Sequence, residues 1–188
     1  MLLRCPDPKG IGKRSSFITA KTMVKKILTY NSKKLREKSQ PIKKLDKAAM
    51  RLVKDLVETL RCSGGVGLSA PQIGILKRVL VYEYKKLKDS TDKTPELSLT
   101  ILINPEIIKT SAKTEVGEEG CLSFPNLFGQ VERYKKITVN ALGINNKEIK
   151  FVAQDLEARI IQHENDHLNG ILFVDRLVNP KQIYTYQI

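Results

Sequence analysis

Only two histidines occur in the 188-residue chain, and they stand four residues apart as His163 and His167. With Glu164 between them they form the motif His-Glu-x-x-His. Residues i and i+4 lie one above the other on a helix, so both imidazoles can bind the same metal ion. Glu164 follows the first of them directly and can approach water at that ion and accept its proton. The spacing therefore predicts a metal-dependent hydrolase.

A catalytic site of this kind needs a third protein ligand and keeps one position open for water. After His167 the chain contains no histidine, cysteine or glutamate, and its one acid is Asp175. The third ligand is therefore expected upstream, where the candidates are three cysteines, Cys5, Cys62 and Cys121. We favour Cys121, which lies in the turn sequence Glu-Gly-Cys-Leu-Ser. A Cys/His/His set suits Fe(II), Zn, Ni or Co.

Two segments have the periodicity of helices. Apolar residues recur at spacings of three and four from Leu45 to Leu60, which predicts an N-terminal amphipathic helix over about 43–61 that ends at a serine and two glycines. The same period returns from Ala153 to Leu168, with Gly170 just beyond the end. The second helix carries the histidine pair.

The middle of the chain has the pattern of a sheet. Short segments rich in β-branched and aromatic residues lie between turn signals. Asn145-Asn146 indicates a hairpin, and residues 85–98 read as a polar loop. We expect an α+β fold, with mostly antiparallel sheets packed around a central helix that bears the His-Glu-x-x-His motif. The predicted strands are Val79–Tyr84, Leu99–Ile103, Val131–Arg133, Ile137–Gly143 and Glu148–Val152.

The charge is distributed unevenly. The chain carries 33 Lys/Arg and 20 Asp/Glu, a net charge of +13, and residues 1–54 hold the whole excess. A solvated basic surface is the favoured interpretation; a contact with the ribosome through this basic N-terminal third is the alternative. We expect residues 1–22 to be an extension that is either disordered or absent from the native protein, followed by a single domain over 23–188.

The sequence has no strong pattern of a secretory, organelle-import or membrane-spanning segment. The N-terminal segment lacks the apolar centre of a secretory signal, and its pattern disfavours organelle import. No run approaches 18 apolar residues, which excludes a membrane-spanning helix, whereas an apolar content of 41% suffices for a packed core. A cytoplasmic protein is therefore expected.

Three motifs together resemble the signature motifs of the peptide deformylases: Gly-Val-Gly-Leu-Ser-Ala-Pro-Gln at 65–72, Glu-Gly-Cys-Leu-Ser at 119–123 and Gln-His-Glu-Asn-Asp-His at 162–167. The resemblance implies an enzyme that removes the formyl group from the N-terminal formyl-methionine of nascent polypeptides and releases formate. It implies Cys121, His163 and His167 as metal ligands. Fe(II) would be the physiological ion, with Zn, Ni or Co found in a purified sample.

The resemblance also assigns roles around the metal. Glu164 would be the catalytic acid and base, and the Gln72 amide and the backbone N–H of Leu122 would stabilise the oxyanion. Val66 and Gly67 would contact the substrate.

Other residues would line or brace the site. Phe124 and Ile160 would form the methionine pocket, although either fits an ordinary core equally well. Glu119 and Arg133 would support the site as an ion pair. Asp166 lies off the ligand stripe and is expected at the surface or in a helix cap.

Two positions depart from the usual pattern of the family. Ser69 stands where alanine is commoner, so its hydroxyl needs a partner. Phe128 stands where a basic residue is frequent, so contacts with the peptide beyond methionine are expected to differ.

Two other functions compete with this one. A general metallopeptidase would use the same motif, but the downstream ligand of such enzymes is missing. A basic RNA- or ribosome-binding protein would hold a structural metal, but such sites normally have four protein ligands and only three are found. No oligomeric state follows from the sequence.

Overall fold

The computed structural model describes residues 24–86, 91 and 93–186. The predicted extension over residues 1–22 lies outside them. Within this part of the chain the fold is α+β with antiparallel sheets, which confirms the predicted class. Two α-helices, α1 (Lys47–Ser63) and α2 (Asp155–Leu168), accompany eight strands. The strands are β1 (Gly67–Ser69), β2 (Val79–Tyr84), β3 (Leu97–Thr110), β4 (Thr114–Cys121), β5 (Phe124–Tyr134), β6 (Lys136–Leu142), β7 (Glu148–Gln154) and β8 (Ile183–Tyr184).

The strands form two sheets in which all neighbours are antiparallel. One has five strands in the order β1-β2-β3-β6-β7, and the other has three in the order β4-β5-β8. Consequently β1 and β4 are each the edge strand of a different sheet. Short 3-10 helices cover Lys33–Arg36, Ala70–Ile73 and Phe173–Arg176.

The two helices pack on opposite faces of the five-stranded sheet. Strand β2 shows why, because alternate side chains of a strand point to opposite faces. Val79 and Val81 pack in the cluster that contains Leu56 of α1, whereas Leu80 and Tyr82 pack in the cluster that contains Ile161 of α2. All four β2 residues are fully buried. The continuous apolar run of this strand is thus explained by burial on both sides.

Helix α1 begins four residues later than the sequence predicts. The Asp46 side chain accepts a hydrogen bond from the backbone N–H of Ala49 at 2.9 Å and so caps the helix. At the other end Gly64 adopts φ +72°, the left-handed conformation that glycine tolerates. The predicted apolar stripe faces the core, with Leu52, Leu56 and Leu60 buried.

Helix α2 begins at Asp155, because Ala153 and Gln154 still pair with β6 as the end of β7. Gly170 follows the helix at φ +74°, and a Cβ there would lie 2.4 Å from the carbonyl oxygen of Arg36. Glycine is therefore required both by conformation and by the close approach of the chain. No helix in the described part of the chain is long and apolar enough to cross a membrane.

The strand predictions hold best where β-branched residues are dense. Strand β2 has the predicted bounds, and the Asn145-Asn146 hairpin between β6 and β7 is confirmed, with Asn146 at φ +59°. Strands β3 and β5 are longer than predicted; β3 takes the last two residues of the expected 85–98 loop, of which 87–90 and 92 lie outside the described residues. The sequence patterns missed β1, β4 and β8.

Candidate metal centre and active site

Three side chains from two elements converge on one point. Cys121 ends strand β4, while His163 and His167 lie one turn apart on α2. One donor atom from each lies within 4.8 Å of the other two, and Sγ of Cys121 is 3.2 Å from Nε2 of His167. Of the other candidates, Cys62 and Asp175 do not belong to this group, and Cys5 lies outside the described residues.

This donor set fits one divalent ion. Metal–sulfur and metal–nitrogen bonds of about 2.0–2.3 Å place the donors of a tetrahedral site about 3.5 Å apart. The 3.2 Å between Sγ of Cys121 and Nε2 of His167 is close to this value, and all three donors lie within 4.8 Å of one another. One sulfur and two imidazoles suit Fe(II), Zn, Ni and Co. Among the described residues no fourth His, Cys, Asp or Glu joins the group. A set of three leaves a position for water, as catalytic sites require.

Glu119 orients the first histidine. Its Oε2 lies 2.9 Å from Nδ1 of His163, so Nε2 is the nitrogen left to face the group. Arg133 donates two hydrogen bonds to the same carboxylate, each 3.0 Å long. Burial alone would raise the pKa of Glu119, but the bonds from His163 and Arg133 outweigh it and hold that pKa well below its usual range. Burial lowers the pKa of His163, whereas Cys121 and Glu119 outweigh that effect and raise it.

Glu164 is buried, and its Oε2 has no hydrogen-bond partner among the described residues. Burial raises the pKa of this carboxyl group, against the opposing influence of His163. A buried carboxylate oxygen without a partner is costly unless water or substrate reaches it. The backbone of β1 leaves room for such access at residue 67, which is a glycine. Any larger side chain there would crowd Glu164, because a Cβ would lie 2.6 Å from its Oε1.

Gln72 is held by a short 3-10 helix behind the cysteine. Its Oε1 accepts hydrogen bonds from the backbone N–H and the hydroxyl of Ser69, both at 2.8 Å. The Ser69 hydroxyl has thus found the partner that the sequence required. The Gln72 amide nitrogen points towards Sγ of Cys121 at 3.6 Å and Oγ of Ser123 at 3.4 Å. Because its oxygen is occupied, the side chain presents its N–H groups to the site.

A cleft of about 740 Å³ opens onto this group. The edge strands β1 and β4 of the two sheets both contribute to its walls. Val66, Gly67 and Leu122 line the cleft. Phe124 and Ile160 line the cleft as well, and both also pack in apolar clusters, Phe124 against Phe173. Phe124 and Ile160 can therefore line the predicted methionine pocket and belong to the apolar core at the same time.

The expectation for Asp166 is wrong. Its carboxylate is buried and binds Arg133 and Arg176, the latter at 3.0 Å. Arg133 reaches it from β5, and the carboxylate lines a separate cavity together with Arg133 and Arg176. A buried carboxylate is tolerated only when cationic partners such as these arginines bind it.

Arg159 was missed by the sequence interpretation. From α2 its guanidinium donates to the Glu119 carboxylate at 2.9 Å and to backbone carbonyls of Val131 at 2.9 Å and Glu115 at 2.8 Å. It thereby ties the helix that carries both histidines to the hairpin that carries Cys121. The sequence feature that could have indicated this role is the position of Arg159 four residues before His163, on the same face of the helix.

Three donors, a buried carboxylate and an open cleft on an α+β scaffold are typical of metal-dependent hydrolases. Comparison with known proteins narrows this class. Residues 24–182 match the family model of polypeptide deformylases. The chain belongs to that family, whose members remove formyl groups from the N termini of nascent polypeptides. Membership of this family favours a deformylase over the two alternative functions, a general metallopeptidase and an RNA-binding protein with a structural metal.

Individual relatives agree with this membership. The chain is 44% identical over 150 residues to the peptide deformylase of Desulforudis audaxviator, which covers 80% of this chain and 91% of the relative. It is 44% identical over 158 residues to peptide deformylase 1 of Clostridium acetobutylicum, covering 84% and 97%.

Solved structures are similar as well. Peptide deformylase from Thermotoga maritima superposes with a TM-score of 0.74 at 34% identity, covering 84% of this chain and 99% of that one. A Met-Ala-Ser-bound class I type b peptide deformylase from Acinetobacter baumannii gives a TM-score of 0.78 at 34% identity, covering 84% and 100%.

Proposed function

We propose that Cys121, His163 and His167 bind one divalent metal ion, and that the adjoining cleft is where this chain hydrolyses the formyl amide of N-formyl-methionyl peptides. The observation that carries the proposal is the convergence of three donor atoms beside the partnerless carboxylate oxygen of Glu164. When bound, the ion supplies Lewis acidity that lowers the pKa of water towards neutrality.

Glu164 is the acid and base of the reaction. Its carboxylate accepts the proton of the attacking water, whose oxygen forms the new bond to the formyl carbon. As the C–N bond breaks, Glu164 returns that proton to the leaving amine, so the products are formate and a peptide with a free N terminus. Its raised pKa suits this double role, because a group that both takes and gives a proton works best when its pKa approaches the operating pH.

Gln72 and Leu122 stabilise the charge that develops on the formyl oxygen. The Gln72 side chain is anchored by Ser69 and presents its N–H groups beside Cys121. The backbone N–H of Leu122 follows Cys121 directly in the turn between β4 and β5. A preorganised donor of this kind typically contributes about 3–4 kcal/mol to lowering the barrier.

The substrate peptide binds as an extended strand. Strands β1 and β4 are sheet edges among the described residues and contribute to the same cleft, and an extended peptide can pair with such edges through main-chain hydrogen bonds. Val66 and Gly67 contact it on one side. Phe124 and Ile160 supply the apolar surface for the methionine side chain. The Met-Ala-Ser-bound relative supports a peptide in this cleft.

Glu119 and Arg133 brace the metal centre. Their two-bond ion pair is buried, and it fixes the ring of His163 through the Glu119 contact. Such supporting partners typically change metal affinity by about 10- to 100-fold when they are removed.

The physiological ion is Fe(II). A thiolate ligand donates more charge than an imidazole and makes Zn a poorer Lewis acid, which favours iron. Zn, Ni or Co would occupy the site in protein purified in air. Anaerobic preparation, metal analysis and comparison of turnover after reconstitution with each ion test this choice; higher turnover with Zn than with Fe(II) would contradict it.

The decisive experiment is formate release from formyl-Met-Ala-Ser, measured before and after chelation and again in Glu164→Gln. That change keeps the shape of the side chain but removes the base, so we expect the metal to be retained and formate release to fall by at least about a hundredfold. Glu132→Gln, an exposed acid on β5, is the matched control. Turnover in Glu164→Gln equal to that of the control would overturn the mechanism.

We further propose that residues 23–188 form one catalytic domain with α2 at its centre; the family match over 24–182 and the contacts of α2 with both sheets support this. A cytoplasmic location and a ribosome contact through the basic N-terminal third are proposed as well, since nascent chains are the substrate. Cell fractionation tests the location. Co-sedimentation with ribosomes at low ionic strength tests the contact, and its absence there would exclude it.

A further inference from the structure

The chain that precedes α1 belongs to neither sheet, yet it is attached to the rest of the domain. We call residues 27–40 the N-terminal strap. The side chain of Leu35, near its middle, is fully buried in the apolar cluster that contains Phe173. Near its end, the backbone N–H of Ser39 donates to the carbonyl oxygen of Leu168, the last residue of α2, at 2.9 Å. The strap is therefore fixed to the folded domain, and its first residues are held in place.

Two backbone N–H groups of the strap bind the first and the second sequence motif. The N–H of Leu28 donates to the carbonyl oxygen of Gln72 at 2.7 Å. The N–H of Tyr30 donates to the carbonyl oxygen of Ser123 at 2.9 Å. Thr29 alone separates the two donors, so a very short piece of chain joins the main chains of the two motifs.

The two acceptors of these bonds lie at the proposed oxyanion donors. Gln72 carries the donor amide itself, and Leu122, whose N–H is the second donor, directly precedes Ser123. Gln72 lies in the 3-10 helix that follows β1 of the five-stranded sheet, whereas Leu122 lies between β4 and β5 of the other sheet. Both donors must reach one oxygen atom at about 2.7–3.1 Å to stabilise its charge. Contacts between these two elements must therefore set the separation of the donors, and the strap provides two such contacts.

The side chains of the two strap residues pack beside the same elements. Gly74 ends the 3-10 helix at φ +81°, and a Cβ there would lie 3.6 Å from Cδ1 of Leu28, so Leu28 packs close to that end. The ring of Tyr30 stacks on Phe124, which directly follows Ser123, with centroids 5.5 Å apart and planes 25° apart. Truncation of either side chain thus loosens one attachment of the strap and leaves both oxyanion donors in the chain.

We propose that Leu28 and Tyr30 are positioning residues that set the relative placement of the two oxyanion donors, the Gln72 amide and the Leu122 N–H. This inference rests on the proposed deformylase function. Neither Leu28 nor Tyr30 is among the described residues that line the cleft. They act through the main chains of the two motifs, so their loss lowers the rate of the chemical step more than it weakens the binding of the peptide.

The test measures kcat and KM for formyl-Met-Ala-Ser in Leu28→Ala, in Gln72→Glu and in the double variant. A misplacement of about 1 Å at a catalytic group can cost about a hundredfold in rate, so we expect this partial loosening to lower kcat about tenfold at nearly constant KM. Two residues that act through one group are coupled. In a protein that already carries Gln72→Glu, the further change Leu28→Ala should therefore lower kcat by less than about twofold. An equal effect of Leu28→Ala in both backgrounds would overturn the proposal, because a general loss of structure acts independently of Gln72.

Leu97→Ala is the matched control, because it makes the same truncation at another half-buried leucine, at the start of β3. It should retain the wild-type kcat. At the other strap position, Tyr30→Phe keeps the ring on Phe124 and should also retain kcat, whereas Tyr30→Ala should lower it about fivefold. Equal kcat values for these two variants would contradict the role of Tyr30. Bound metal should be the same in all variants, and a rate that falls in proportion to metal content would overturn the proposal.

Amide hydrogen exchange of the metal-loaded protein provides a readout that needs no catalysis. The N–H groups of Gly74 and Ile75 bond within the turn at 70–75, at 2.9 and 3.1 Å, and their exchange reports how firmly that turn is held. Leu28→Ala should speed this exchange about tenfold, and Leu97→Ala should leave it unchanged. Faster exchange in Leu28→Ala supports the strap even if no peptide releases formate, an outcome that would reject the catalytic function alone. Unchanged exchange in Leu28→Ala rejects the strap.

Discussion

Gly67 and Glu164 approach each other so closely that a Cβ atom at residue 67 would lie 2.6 Å from Oε1 of Glu164. The same Cβ would lie 3.0 Å from Cγ2 of Ile160. The absent side chain of one strand residue thus makes room for the proposed catalytic carboxylate of the helix. This contact joins the first sequence motif to the third across the cleft.

Gly67→Ala should therefore damage catalysis more than folding. The added methyl group forces Glu164 or Ile160 to move, and a displacement of about 1 Å at a reacting group can cost about a hundredfold in rate. The overpacking should cost about 1–3 kcal/mol of unfolding free energy. Formate release and urea denaturation measure the two effects. Gly143→Ala, remote from the cleft, should retain its activity; equal activities in the two variants would contradict this contact.

Glu119→Gln should weaken metal binding. The amide keeps the size of the side chain but loses the charge that favours the hydrogen bond from Nδ1 of His163, so the metal dissociation constant should rise about 10- to 100-fold. Competition with a chromogenic chelator measures this constant. Glu132→Gln provides the control, and an unchanged constant in Glu119→Gln would show that the contact does not support the metal centre.

The stability cost of Glu119→Gln should depend on pH in a definite direction. Since the pKa of Glu119 is lowered from about 4.5 on folding, its ionised form stabilises the folded state at every pH above that value. The contribution is lost as the pH falls from 4.5 through the depressed pKa. We expect the variant to be about 3–5 kcal/mol less stable at pH 7.5, because Arg133 and Arg159 each lose a buried anionic partner.

Urea denaturation of the metal-free proteins at pH 7.5, 5.5 and 3.5 measures this dependence. The difference between wild type and variant should be similar at the two higher values and smaller at pH 3.5. A difference that grows as the pH falls has the opposite sign and would refute the assignment.

Gln72→Glu should separate catalysis from binding. The carboxylate still accepts the two bonds from Ser69, but it has no N–H to donate to the formyl oxygen. We expect kcat to fall about 100- to 1,000-fold with a small change in KM. Steady-state kinetics measure both constants, and Gln154→Glu, an exposed residue before α2, is the control. A rise in KM at constant kcat would mean that Gln72 binds substrate and does not stabilise the transition state.

Local patterns predicted those elements whose periodicity is strong. The stripe of leucines in α1 is buried as predicted, and β2 has the predicted bounds because its apolar run is covered on both faces. Strand β4 was missed because Thr-Glu-Val-Gly-Glu-Glu-Gly-Cys has little intrinsic strand preference. It is a strand because β5 pairs with it along its length. The two residues of β8 carry no pattern that a sequence window can detect.

The residue types and spacing of the three motifs determined the chemistry, because a helix turn brings His163 and His167 together without help from the rest of the chain, and few other donors exist. Tertiary structure alone decided what surrounds them. Asp166 of α2 is buried because Arg133 reaches it from β5, and Glu118 lies beside Tyr184 and Tyr186 only because β8 pairs with β5. Such contacts join residues 33 to 68 positions apart, and no local periodicity encodes them.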